Sequence, residues 1–268
     1  MSSKSRSISR RKFLKSGLAL AGALTIGANN CTVKSGISLE EAVDNADLRQ
    51  EYIDQLVERE SSPYVNRVIY NNLWDPDNRK PPIMTGESIF AEVPSIGIER
   101  FATGVKSDVV VYSKLFNKEG IEVKILQGTL TVPLTEELFR GLLQHEYQHA
   151  EDAYGGIYLS NGLKIDNSNR LDFNQYVFSF VKETRAHMRQ IEFSRQKFGR
   201  DHTAYNAQVS NLAHYLYHQT TNILSSEKLP PNYTPYIKHQ IDEIKRRIPE
   251  VFDVLDLYGF QLNPEMTQ

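Results

Sequence analysis

The chain has 268 residues, of which 40% are hydrophobic and 24% charged, enough to bury one substantial core. Its formal net charge is −2, and residues 1–28 carry six cations and no acid, so the remainder carries −8. So acidic a body argues against a nucleic-acid partner, and the single cysteine, Cys31, excludes both an internal disulfide and a thiolate metal site.

From the N-terminus, Ser9-Arg10-Arg11-Lys12-Phe13-Leu14-Lys15 matches the S-R-R-x-F-L-K pattern of bacterial twin-arginine leaders, and a short apolar core runs from Gly17 to Ala28. Charges and apolar residues sit in separate blocks, and the core is short for a bilayer span, so residues 1–28 read as an export signal. The expected location is the periplasm or cell envelope, with the twin-arginine export machinery as a partner. Two processing routes stay open. Ile26-Gly27-Ala28 offers a small-residue cleavage site, whereas Cys31, just beyond the apolar core, is a candidate for a lipid anchor. Asn29 and Asn30 are not the small residues expected before a lipidated cysteine. Residues 29–36 read as a tether and residues 37–268 as a single domain.

In that domain Ser38 and Glu41 form a capping-box signature for a first helix running towards Glu60. The stretch from Trp74 to Pro82 is rich in Pro, Asp and Asn and reads as a surface loop. Strand-like runs follow at Ser88–Val93, Ile98–Ala102, Asp108–Phe116, Ile121–Leu126 and Thr129–Val132, with Asn117-Lys118-Glu119-Gly120 expected to join two of them as a hairpin. The rest is helical, with Ala204–Ser225 and Tyr236–Leu257 as two amphipathic helices separated by Pro230-Pro231. The expected fold is a helix-rich α+β domain with a small, mostly antiparallel sheet.

The chemistry concentrates in His145-Glu146-Tyr147-Gln148-His149, an H-E-x-x-H run. Thr135 is a credible N-cap, Glu136 and Glu137 favour the first turn, and Gly155-Gly156 stops the helix. Leu138, Phe139, Leu142, Leu143, His149, Ala150 and Ala153 recur at helical spacing, so the histidines project from the inward stripe. Residues four apart share a helix face, so both imidazoles can grip one metal ion, with Glu146 beside them as a general base. Two inward histidines can also simply hydrogen-bond in a core. Seven histidines in the whole chain would yield this run by chance in on the order of one chain in a hundred, and burying two histidines and a glutamate together without a metal is costly.

Catalytic zinc normally takes three protein ligands and keeps a fourth position for water. Glu183 is the best third donor. It lies near the apolar-leaning face of a second helix, formed by Phe173, Tyr176, Val177, Phe180, Val181, Thr184 and His187 and capped by Asp172. The competing reading of Glu183 is a salt bridge to Arg185 or to a lysine. Glu151 and Asp152 are weaker ligand candidates, and Asp152, one turn beyond His149, is placed to accept the second ring N–H of a ligand histidine.

His145-Glu146-x-x-His149-x-x-Asp152, followed by Glu183-x-Arg185-Ala186, resembles the gluzincin group of zinc metallopeptidases, including its compact minigluzincin-like forms. The likeness covers about fifty residues. It implies one Zn²⁺ per chain held by His145, His149 and Glu183, with Glu146 activating a zinc-bound water, and a small sheet beside the active-site helix. It also implies a peptide or protein substrate, which a strand such as Thr129–Val132 can pair with as an extended chain. Many gluzincins carry an aspartate four residues after the ligand glutamate. Here that position is His187, which is thereby free to act as a ligand or a transition-state donor.

His214 and His218 form another pair four residues apart, but no acid lies between them, so they read as a polar stripe on a packed helix. One of them, or a nearby tyrosine, is a candidate hydrogen-bond donor to an oxyanion. The expected protein is an exported zinc metallopeptidase. The alternatives are a non-catalytic zinc protein of the envelope, in which Glu146 would have no task, and an amide hydrolase acting on cell-wall peptide.

Overall fold

A computed structural model describes residues 36–71, 96–98, 104–166, 173–225 and 231–262. The expected leader, Cys31, the loop expected at 74–82, the strand expected at 88–93, residues 99–102 of the next expected strand, Asp172 and Pro230 lie outside the described residues.

The capping box is present. Ser38 Oγ accepts from the Glu41 N–H at 3.2 Å and Glu41 Oε2 accepts from the Ser38 N–H at 2.7 Å, opening α1 (Leu39–Asp44). The helix does not run on to Glu60. Asn45 adopts an extended backbone and its Oδ1 accepts from the Asp47 N–H at 3.0 Å, a local bond that competes with helical continuation. A short 3₁₀ turn follows, and then α2 (Arg49–Arg59).

The largest sheet has three strands in the order β1 (Val65–Asn71), β3 (Ser107–Tyr112), β2 (Ile96–Ile98). β1 has no counterpart among the expected strands. It runs parallel to β3, while β2 is antiparallel to it. All six residues of β3 are buried, as befits a central strand. Its buried Asp108 is satisfied by Arg67 at 3.0 and 3.1 Å and by Asn66 at 3.0 Å, both from β1.

The strand expected to reach Phe116 ends at Tyr112, in a 3₁₀ turn. The expected hairpin is displaced too. Asn117–Gly120 is a turn, but the strand after it, β4 (Ile121–Ile125), pairs with β5 (Gly128–Val132) through the tight turn at Leu126-Gln127. Gly120 is required where it stands: its φ is +104°, and a Cβ would lie 2.4 Å from the Val132 carbonyl oxygen.

The helical layer comprises α3 (Glu136–Gly155), α4 (Gln175–Phe198), α5 (Thr203–Ser225), α6 (Thr234–Arg247) and α7 (Glu250–Leu257), with a small antiparallel pair, β6 (Ile157–Tyr158) and β7 (Lys164–Ile165), after α3. The helix expected over Tyr236–Leu257 is broken at Ile248-Pro249. Pro249 offers no N–H and pushes Ile248 out of the helical region, to φ −136° and ψ 64°.

Helix α3 is the hinge of the packing. One side meets β2 and β3, and Phe139 packs edge-on against Tyr52 of α2 at 5.9 Å and close to Phe116, in the turn after β3, at 5.9 Å. Its other side lies along α4, which in turn packs on α5 and α6. The fold is a helix-rich α+β arrangement, and three of the four strand pairings among the described residues are antiparallel. No helix among the described residues is long and apolar enough to cross a membrane.

Candidate metal centre

Thr135 Oγ1 accepts from the Leu138 N–H at 3.2 Å and sets the start of α3, as its sequence implies. Leu138, Phe139, Leu143, Ala150 and Ala153 are buried, Leu142 half-buried, and the same roll of the helix turns His145 and His149 towards α4. Helix α4 is capped by Asn174, not by Asp172 as expected: Asn174 Oδ1 accepts from the N–H groups of Tyr176 and Val177 at 3.0 and 3.2 Å. Val177, Phe180, Val181 and Thr184 are buried as expected, whereas Tyr176 is exposed. That stripe brings Glu183 across from the histidines.

The three side chains converge. His145 Nε2 and His149 Nε2 are 3.1 Å apart, and Glu183 Oε2 lies 3.3 Å from each. For metal–ligand bonds of about 2.0–2.1 Å, the edge of a coordination tetrahedron is about 3.3 Å, so the three atoms already stand at the spacing of a shared ion. The ligand atoms of His145, Glu146 and His149 also lie within 4.8 Å of one another, and this group can hold a metal ion. Without an ion the arrangement is poorly satisfied: two ring nitrogens face the same carboxylate oxygen and each other, and both Nδ1 atoms are buried with no hydrogen-bond partner among the described residues.

The charges pull against burial. Burial raises the Glu183 carboxyl, but His149, Lys182 and the hydrogen bonds from the histidines outweigh it and hold the group well below the usual carboxylate range. Burial lowers His145, but Glu183 and Glu146 more than compensate and raise it. Glu146, 7% exposed, is raised chiefly by burial, against the opposing pull of His149 and His145. Lys182 Nζ sits 3.2 Å from Glu183 Oε1, so the lysine salt bridge anticipated as the alternative for Glu183 is present on the carboxylate oxygen that faces away from the histidines' contact.

Asp152 takes a different role from the one expected. It does not receive a histidine N–H. Its carboxylate accepts from Arg185 at 3.0 and 3.2 Å and from Gln148 Nε2 at 2.8 Å, tying the end of α3 to α4. Spacing along α3 located Asp152 correctly, but not the roll of α4 that sends Arg185 to meet it. Glu151 is likewise engaged, by Arg189 at 2.9 Å.

His187 stacks edge-on against His145 with ring centroids 4.7 Å apart, and burial followed by the proximity of His145 lowers it to about 3. It is thus a neutral imidazole beside the centre. The Tyr215 hydroxyl donates to the Ser179 carbonyl at 3.3 Å. His214 and His218 pair with each other, ring centroids 4.3 Å apart, and do not join the centre.

The centre opens into a cleft of about 260 Å³. The strands on its wall are β2, through Ile96, and β4, through Ile121, Glu122 and Val123, while β5 (Gly128–Val132) pairs with β4 from outside the lining. Sequence reasoning also missed Gln190, Gln208 and Asn211, which contribute the cleft's carboxamides from α4 and α5. Nothing in their spacing distinguishes them from ordinary polar positions of a packed helix.

Against protein-family models, curated proteins and solved structures, the chain has no match.

Proposed function

We propose that the chain is an exported zinc-dependent peptidase, with one zinc held by His145, His149 and Glu183 and with Glu146 as general base. The observation that carries this reading is the convergence of two imidazole nitrogens and one carboxylate oxygen, 3.1, 3.3 and 3.3 Å apart, beside a second, buried carboxylate in an open cleft. Three donors from protein with one position left over is the ligand set of catalytic zinc, whereas structural sites are closed by four. The spacing of the donors is close to the edge of about 3.3 Å expected for tetrahedral zinc.

Bound there, zinc supplies Lewis acidity, polarising a substrate carbonyl and acidifying water. Glu146 handles the proton. Its carboxylate takes one proton from water as the water oxygen bonds to the carbonyl carbon. The C–N bond then breaks, and the same proton passes to the departing amine nitrogen. Lys182, 3.2 Å from the other carboxylate oxygen, favours the anionic form of Glu183, which preserves it as a donor. His187, neutral and lining the cleft, has an N–H to offer to a developing oxyanion. The leader pattern at residues 9–15 supports export to the periplasm or envelope, with lipid attachment at Cys31 as the alternative to a soluble form.

The test is Glu146→Gln, which keeps size and hydrogen bonding but removes the base. Hydrolysis of a peptide library should fall by about 10²–10⁴-fold while zinc content, measured by elemental analysis, stays at one per chain. Unchanged hydrolysis would place the base elsewhere. Loss of fold and zinc together would favour a structural site.

A further inference from the structure

Four glutamines are buried among the described residues, and three of them are engaged. Gln148 donates to Asp152 at 2.8 Å, Gln240 accepts from the Thr184 hydroxyl at 3.1 Å, and Gln190 is paired with His187. Gln208 is the exception. It is 3% exposed, and neither its Oε1 nor its Nε2 has a hydrogen-bond partner among the described residues. Asn211, three residues on along the same helix and on the same cleft, does have one, donating to the Lys124 carbonyl at 3.0 Å and so holding β4 to α5. A buried carboxamide without partners is costly to keep.

Its seat is built for it. The Gln208 Nε2 lies 2.5 Å from where a Cβ on Gly141 would stand, so the amide packs on the bare backbone of α3. Glycine inside a helix is less favourable than alanine, and here the close approach of the amide supplies the reason. Gly141 precedes His145 by four residues on one face, so the amide sits about one helical turn from the metal centre. The cleft it lines has aliphatic walls from Ile96, Val123, Leu138 and Leu142, interrupted by Glu122 and Asn211.

We propose that Gln208 is a substrate-positioning residue, whose carboxamide pairs with a backbone amide of a peptide while that peptide's aliphatic side chain occupies the cleft beside the metal centre. The pairing is chemically matched: Oε1 accepts a peptide N–H and Nε2 donates to a peptide carbonyl, so both unsatisfied groups gain partners at once. The proposal rests on the metallopeptidase reading above.

Two probes separate the claims. Acetohydroxamate reports on the metal alone, and N-acetyl-leucine hydroxamate adds one backbone amide and one aliphatic side chain. Affinities of both for the zinc-loaded full chain are measured by titration calorimetry. The wild type should bind the leucine probe more tightly than acetohydroxamate. In Gln208→Met that gain should shrink by about tenfold, while acetohydroxamate affinity and zinc content stay as in the wild type. Should the methionine variant not fold, Gln208→Asn, which keeps a carboxamide but withdraws it by one methylene, is read in the same way. An undiminished gain in the variant overturns the role of Gln208 and leaves the metallopeptidase reading standing. Failure of the wild type to take up zinc or to bind acetohydroxamate overturns both.

Discussion

Glu183 decides whether the two histidines of α3 act as one site. Two nitrogens 3.1 Å apart on a single helix make a weak chelate, and the carboxylate from α4 closes the triangle at 3.3 Å to each. Removing a ligand should exceed the 10–100-fold effect typical of the groups that merely support one. Glu183→Ala is thus expected to lower zinc affinity by more than about 100-fold, read by competition with a chromogenic chelator. Protons compete for the same atoms. Burial draws His145 down, but Glu183 and Glu146 raise it on balance, so it takes a proton more readily than an ordinary histidine. Zinc affinity in the wild type should therefore fall as pH drops into the range where His145 protonates. An affinity that is flat through that range would show that His145 is not a ligand.

Between helices, the Asp152–Arg185 pair ties α3 to α4, and with them the two halves of the candidate ligand set. Asp152→Ala strands a half-buried guanidinium and the Gln148 amide. Loss of one partner from so buried a pair should cost about 3 kcal/mol, seen as a lower denaturant midpoint with an unchanged slope. A shift under about 0.5 kcal/mol, the size of an ordinary surface substitution, would make the pair incidental. The limits of sequence reading show at this scale. Helix α3 was legible because Thr135, Gly155-Gly156 and the buried stripe are all local signals, and Glu183 followed from the stripe of α4. Asn45, Asp172 and Pro249 were harder. An asparagine that ends one helix and starts the next has the composition of a helix interior position, Asn174 and Asp172 are equally plausible caps, and the apolar period continues through Ile248. β1 escaped notice because only Val68 among its seven residues is buried, so it lacks the alternation that marks a half-buried strand. The hairpin was misplaced because Asn117–Gly120 has stronger turn chemistry than Leu126-Gln127, and only tertiary packing separates β3 from β4. The Arg185 partner of Asp152 and the carboxamides of the cleft depend on how helices roll against each other, which no single segment records.

At the level of the whole molecule, the twin-arginine-like pattern of residues 9–15 gives a test independent of the chemistry. Arg10→Lys with Arg11→Lys keeps the charge and the apolar core, so a purely electrostatic or unfolded-chain route should tolerate it. A receptor that reads the paired guanidinium groups should not, and the double variant is expected to accumulate inside the cell with its leader uncut, as seen by fractionation and blotting. Normal export would overturn the twin-arginine assignment and leave the metal centre untouched.

The parallel pairing of β1 with β3 also bears on how soon the chain reaches its folded state. Arg67 and Asp108 are 41 residues apart, and parallel neighbours cannot be joined by a tight turn, so this contact must wait for a long loop to close. The β4–β5 hairpin and α3 need only neighbours in sequence and can form first. Asp108→Asn should accordingly speed unfolding and leave the refolding arm nearly unchanged in a chevron experiment, whereas equal weakening of the refolding arm would place this contact in the nucleus. If the chain is exported folded, as proposed above, the arrival of β1 at β3 would then set the delay between synthesis and passage across the membrane.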